Sequence, residues 1–123
     1  MGQSASRRPV VLLVEDEQLL RMDAVEMISS AGFDVVEAAN ADDAIEILEV
    51  RRDIVVVFTD IQMPGSMDGL KLAAAVRLRW PPIKILVTTG KATPTPEQMP
   101  AGSAIIPKPY EIQDVLKAVH GFG

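Results

Sequence analysis

Five polar residues in this 123-residue sequence have side chains that become chemically useful if they are brought together: Glu15, Asp16, Asp60, Thr89 and Lys108. Carboxylates alone repel one another. At about 5 Å and an effective dielectric near ~20, each like-charged pair costs on the order of 3 kcal/mol. Three gathered carboxylates must therefore take up protons or hold a cation. With Lys108 the group sums to −2, three negative charges against one positive, which a single divalent ion balances. All-oxygen donors with room for water suit Mg²⁺ better than zinc, which prefers nitrogen and sulfur. A carboxylate beside Mg²⁺ can attack phosphorus and form an acyl phosphate. That chemistry needs mainly positioning and charge neutralisation. Mg²⁺ and Lys108 would neutralise two phosphoryl oxygens, and the Thr89 hydroxyl would donate to the third.

Taken singly, each residue has a plainer explanation. Glu15 and Asp16 suit a helix start, where the dipole favours acids. Asp60, shortly before Met63-Pro64-Gly65, suits a turn. A lysine usually sits on the surface, and Thr89 suits a strand. The placement of the elements decides between these accounts and a shared site.

Val10–Val14 is a short apolar run of the kind buried on both faces of a parallel sheet. From Glu17 to Ala31, the residues Leu20, Ala24, Met27, Ile28 and Ala31 recur at helical spacing, and Gly32 then caps the helix. Asp34–Ala38 reads as a second strand. Asn40 caps a second helix running to Arg52, with Asp42 and Asp43 in its first turn. Ile54–Thr59 is the strongest strand, and a helix follows from Gly69 to Arg79, stopped by Pro81-Pro82. Lys84–Thr89 and Ala104–Ile106 are the fourth and fifth strands, and a last helix runs from Glu111 to His120. Between Thr89 and Ala104, Pro94, Pro96 and Pro100 leave the fourth helix short or missing.

Alternating strands and helices predict an α/β fold, a parallel sheet covered on both faces. Five such units fit the doubly wound, flavodoxin-like order 2-1-3-4-5, a choice that the resemblance described below also informs. Ligands in such sheets bind beyond the carboxyl ends of the strands, where the strand order reverses. Glu15 and Asp16 directly follow strand 1, Asp60 follows strand 3, Thr89 ends strand 4 and Lys108 follows strand 5. Residues far apart in sequence thus converge on one edge. The coincidence favours a shared site.

Bulk properties narrow the function. The length predicts one domain, read as a flexible leader over 1–9 and a folded domain over 10–121, with no output domain. A net charge of −5 argues against nucleic acid and anionic membranes as partners. The absence of cysteine excludes disulfides and thiolate metal sites and fits a cytoplasmic location. Met1-Gly2-Gln3-Ser4-Ala5-Ser6 formally matches an N-myristoylation pattern, but a disordered leader of small polar residues is the favoured reading, since such short patterns arise by chance. No stretch reaches transmembrane length. His120, the only histidine, has no acidic or histidine partner at a useful spacing and reads as a solvated helix-end residue. The six methionines read as gap fillers, and Trp80 as a packing anchor at a helix end.

From Val10 to Val119 the chain resembles the response-regulator receiver domains of two-component signalling. The resemblance rests on four segments: Glu15-Asp16, then Thr59-Asp60-Ile61-Gln62-Met63-Pro64 with Met67-Asp68-Gly69 beyond it, Thr88-Thr89-Gly90, and Lys108-Pro109. It implies Asp60 as phosphoacceptor, with Asp16, Asp60 and the backbone carbonyl of Gln62 as ligands of Mg²⁺ and Glu15 acting largely through metal-bound water. It also implies Lys108 on the phosphoryl group and a cis peptide before Pro109. The switch threonine is Thr88 or Thr89, and Thr89 is preferred because Gly90 then fills the next, small position. The family's aromatic switch position, three residues before the lysine, is held by Ile105, and Ser66 is one residue more than usual in its loop. The set Val87-Thr88-Thr89-Gly90 with Ile106-Pro107-Lys108-Pro109 looks like the branch of single-domain and hybrid-kinase receivers that lacks a regular fourth helix.

The function implied is that of a phosphoacceptor. A sensor histidine kinase or histidine phosphotransfer protein supplies the phosphoryl group, and its arrival switches binding to a downstream protein. Such a domain is not an enzyme in the ordinary sense, catalysing only its own phosphorylation and dephosphorylation. The competing reading is an Mg²⁺-dependent phosphohydrolase with Asp60 as nucleophile. That reading wants an acid two residues on, where Gln62 stands, and a substrate cap that no insertion supplies.

Overall fold

The computed structural model describes residues 8–61, 68–89, 99, 102–108 and 110–121. Its elements are β1 (Val10–Val14), α1 (Gln18–Ser30), β2 (Asp34–Ala38), α2 (Ala41–Val50), β3 (Ile54–Asp60), α3 (Gly69–Arg79), β4 (Lys84–Thr89), β5 (Ser103–Pro107) and α4 (Ile112–Gly121). The five strands form one parallel sheet in the order β2-β1-β3-β4-β5. This is the doubly wound order expected from the sequence. The expected short or missing helix between β4 and β5 falls mostly on residues outside those described, as does most of the 1–9 leader.

Continuous apolar runs are what a sheet buried on both faces demands. On β1, Val10, Leu12 and Val14 pack to one side with α2 and α3, whereas Val11 and Leu13 pack to the other with α1. β4 divides in the same way, Ile85 and Val87 to the first side and Leu86 to the second. Leu48, Leu72 and Val76 close the first layer, and Ile28, Phe58 and Val115 close the second. Among the described residues no helix is long and apolar enough to cross a membrane.

The helix boundaries follow from local hydrogen bonding. Asn40 caps α2 by accepting from the Asp43 N–H at 2.8 Å, as expected. Asp68 caps α3 in the same way from Lys71, a cap the sequence reading passed over. α2 ends at Val50, two residues before the expected Arg52, because Arg51 turns extended and pairs with Asp53 through both guanidinium arms. Glu111 stands outside α4: its N–H donates to Asp114 Oδ2 at 2.8 Å, so it closes the helix start and is not its first residue. Gly32, at φ 105°, follows the last turn of α1 as the expected cap. Trp80 ends α3 and packs on the core under the Arg79 guanidinium, 4.4 Å from its ring.

α1 carries the one notable departure. Ala24 and Ile28 are buried as the spacing predicts, but Leu20 is 44% exposed and Leu19 and Met22 are more so. The helix is therefore core-facing in its middle and apolar but open at its start. Replacing Ile28 by Ala should cost about 2–5 kcal/mol of unfolding free energy, whereas Leu19→Ala should change it by less than about 0.5 kcal/mol. Urea unfolding of the two variants checks this contrast.

Candidate functional site

The sheet register sets the site. Val14 is level with Thr59 across the β1–β3 pair, so Glu15 and Asp60 leave the sheet at the same height on strands about 4.8 Å apart. Each chain end is fixed by one further ladder bond. Glu15 N–H donates to Ala38 O at 3.1 Å, Ile61 N–H to Thr88 O at 3.0 Å, and Lys108 N–H to Thr89 O at 2.8 Å. Asp60 closes β3 as its last residue, one step further than the sequence suggested, because this bonding continues past it. It is level with Thr88, and Thr89 extends one residue higher, level with Pro107. Both threonines are buried.

The helix-start explanation for the acid pair does not hold. α1 begins at Gln18 with no acid in its first turn, and Glu15 is buried at 8% exposure, as is Asp60. Lys108 is not a free surface lysine either: its ammonium lies 2.5 Å from Asp60 Oδ2. Asp16 differs from its neighbours, being exposed. Gln62, Gly90 and Pro109, with the expected carbonyl ligand and cis peptide, lie outside the described residues, as does the side chain of His120. Ile105 is half-buried on β5.

Electrostatics record the crowding. Burial pushes the Glu15 carboxyl above its usual value, a hydrogen bond from the Glu17 N–H opposes this, and the charges of Asp60 and Asp16 push it up further. A folded-state pKa above the unfolded one means the fold holds the proton more tightly. The stability this group contributes is present at low pH and is lost as pH rises through the raised value. Lys108 offsets only part of the negative charge. Among the described residues no three acidic or histidine side chains are gathered closely enough to cage a metal. Mg²⁺ needs no such cage, since it keeps several waters and takes one or two carboxylates. The buried, under-neutralised pair Glu15–Asp60 and its all-oxygen donors fit that ion.

Approach of the backbone is tight below Asp60. Gly69 donates its N–H to Ile61 O at 2.8 Å, and a Cβ at this position would overlap the Asp60 carbonyl. Only glycine lets α3 begin there. The Thr59 hydroxyl also donates to the Asp60 carbonyl, at 3.0 Å.

Two residues near the site were not singled out by sequence reasoning. The ring of Tyr110 lies 5.5 Å from that of Phe58 and helps line a groove of about 490 Å³ with Leu20, Ala24, Met27, Glu15 and Lys108. Arg21 reaches back from α1 to the Glu15 carbonyl. Neither carries a sequence signal, because each depends on distant residues in the fold.

The chain is thus a doubly wound α/β domain with a buried carboxylate–lysine pair beyond the ends of its strands. Comparison with known proteins gives the family. A family model described as the response regulator receiver domain matches residues 11–120, and the chain belongs to that family, the receiver domains of two-component systems. It is 35% identical over 113 residues to the sensor kinase CckA of Brucella abortus, covering 89% of this chain and 12% of that protein. It is 33% identical over 112 residues to the transcriptional regulatory protein PdtaR of Mycobacterium tuberculosis, covering 89% and 54%. The chain thus spans about half or less of these curated relatives. Among solved structures, a response regulator receiver protein from Sinorhizobium medicae superposes with a TM-score of 0.87 at 28% identity, over 94% of each chain. The receiver domain of the hybrid histidine kinase CckA gives 0.74 at 27%, over 92% of this chain and 97% of that one.

Tyr110 reports on the site directly, as it is the only tyrosine. Its phenol is pushed up from 10.0 to about 12, first by burial and then by the charges of Glu15 and Asp60. Being raised, it contributes stability below its ordinary value that is lost as pH climbs from 10 toward 12. Absorbance titration near ~295 nm should find this pKa well above that of the unfolded chain. The double variant Glu15→Gln/Asp60→Asn should bring it down part of the way.

Proposed function

We propose that the protein accepts a phosphoryl group on Asp60 from a phosphohistidine-bearing protein, in the presence of Mg²⁺, and that this switches its binding to a downstream partner. The observation that carries the reading is the buried Asp60 carboxylate held by the Lys108 ammonium at 2.5 Å beside a second buried acid. In the transfer an Asp60 carboxylate oxygen attacks phosphorus as the P–N bond to the donor imidazole breaks. The bonding pair leaves with the ring nitrogen, and the product is an aspartyl phosphate.

The residues of this chain divide the work. β3 fixes Asp60 at the sheet end, so little orientational freedom is lost on reaction. Lys108 exchanges its contact with Asp60 for one with the incoming phosphoryl oxygens. Thr89, one residue higher on the adjacent strand, would supply a hydroxyl donor to the transferred group. Glu15, Asp16, Asp60 and the Gln62 carbonyl would hold Mg²⁺, with Glu15 acting through bound water. When bound, the ion neutralises charge on the phosphoryl oxygens and aligns them with Asp60.

The apolar groove beside Asp60 and the exposed Leu19, Leu20 and Met22 at the start of α1 support a protein donor over a small molecule, since such surfaces mark protein contacts. Relatives that are sensor kinases or response regulators fit that partner class. The face reporting phosphorylation is less conventional here, because Ile105 replaces an aromatic residue.

Incubation with Mg²⁺ and a small phosphodonor should shift the protein on a phosphate-affinity gel, and Asp60→Asn should abolish the shift. Sustained turnover of organic phosphates without a stoichiometric shift would support the phosphohydrolase instead. Leu20→Asp should slow transfer from a phosphohistidine protein by about tenfold or more, as loss of a buried apolar contact does at interfaces. Labelling by the small donor should stay within twofold of wild type.

A further inference from the structure

In the acid loop between β1 and α1 the Glu15 carboxylate is held, accepting from the Glu17 N–H at 3.1 Å, whereas Asp16 is not. Glu17, at the N-cap, makes no side-chain capping bond. Asp16 is exposed, and no hydrogen bond or ion pair among the described residues holds its carboxylate. The backbone therefore sets the direction in which that side chain leaves the chain, with no side-chain partner to redirect it. The peptide joining Glu15 to Asp16 sets the direction in which both side chains leave the chain.

One side chain grips that peptide from outside the site. Arg21, on α1, donates from Nη1 to the Glu15 carbonyl at 2.8 Å and from Nε to Glu37 Oε1 at 3.2 Å. Its side chain is only 19% exposed. Glu37 lies on β2, level with Leu13 of β1, so its position is fixed by the sheet. The guanidinium thus spans from a strand-anchored carboxylate to the carbonyl between the two acids. A planar fork with donors on separate arms can do this; an ammonium, with its donors on one atom, cannot span both acceptors equally.

We propose that Arg21 is a positioning residue for the metal site: by holding the Glu15–Asp16 peptide against β2, it sets the affinity of the acid loop for Mg²⁺. Glu37 orients the guanidinium, and the carbonyl contact does the positioning. The inference rests on the phosphoacceptor reading above. It adds a residue that touches neither metal nor phosphoryl group.

The test compares wild type with Arg21→Ala, Arg21→Lys and Glu37→Gln. Mg²⁺ affinity is measured by isothermal titration calorimetry, alongside thermal melting of the metal-free proteins and labelling by a small phosphodonor. Arg21→Ala should weaken Mg²⁺ binding by about tenfold, the usual range for residues that orient metal ligands. Saturating Mg²⁺ should restore most of its labelling. Arg21→Lys should recover part of the affinity, and Glu37→Gln should lie within about threefold of wild type because the carbonyl contact survives. A merely structural arginine would lower the melting temperature and leave Mg²⁺ affinity unchanged. Affinity within twofold of wild type in a folded Arg21→Ala protein would overturn the inference. If the alanine variant does not fold, Arg21→Lys decides: wild-type affinity there would sink the proposal equally. Wild type that neither binds Mg²⁺ nor becomes labelled would instead remove the phosphoacceptor reading itself, so the two failures are told apart.

Discussion

Two buried carboxylates on adjacent strand ends, one of them paired with Lys108, impose the constraint around which the rest of the chain is arranged. Glu15 and Asp60 cannot relax apart, because the parallel ladder fixes β1 against β3, while one extra backbone bond continues β1 along β2 and another continues β3 along β4. Lost hydration, and after it the charge of Asp60, appear as the raised pKa of Glu15. The apolar layers on both faces of the sheet supply the stability that lets this unfavourable arrangement persist. Any cation or phosphoryl group that relieves the repulsion binds the folded state and not the unfolded chain. It must therefore stabilise the fold, and stability and ligation become one equilibrium.

The two layers of the sheet are not equivalent. α2 and α3 seal one face with aliphatic side chains from Leu48 to Val76. The other face carries Phe58 and Tyr110 close under the site, and there α1 begins with apolar residues left open. Glu15 and Lys108 line the same groove as Leu20 and Met27. On the proposed reading, charge on Asp60 and contact with a partner would be read on one surface, since Glu15 and Lys108, beside Asp60, also line this groove. Tyr110 is joined to both, through its ring packing and through the charges that raise its pKa.

Much of this was legible in the sequence because parallel sheets write themselves as continuous apolar runs, and the five runs here were found with errors of about one residue. The placement of Glu15, Asp60, Thr89 and Lys108 at strand ends followed from those runs and from the rule that ligands bind there. Leu20 shows where periodicity fails. Its spacing matches Ala24 and Ile28, yet it is open, because what covers a helix face depends on where the neighbouring chain runs and not on the helix alone. Arg21 shows another kind of failure. An arginine at a helix start has many possible acceptors, and nothing local says that a carbonyl six residues back and a carboxylate sixteen residues on will be the ones it meets. Glu111, read as helical, became a cap because Asp114 bonded to its N–H before the helix could begin.

The contrast between Asp60 and Asp16 has a physical logic of its own. As the proposed nucleophile, Asp60 would gain from rigidity: it sits in a ladder, buried, with its carbonyl also accepting from Thr59, so attack would require little reordering. A metal ligand that must let an ion and its waters come and go gains from exposure, since Mg²⁺ sheds water reluctantly and exchanges it with bulk solvent. Placing one carboxylate in the strand and the other just beyond the end of the adjacent strand would give both properties. The exposed acid then needs its direction set without being buried, and a backbone contact made from outside the pocket is one of the few ways to do so. A side-chain partner would compete with the ion for the same oxygens, whereas a guanidinium on the preceding carbonyl leaves every carboxylate lone pair free.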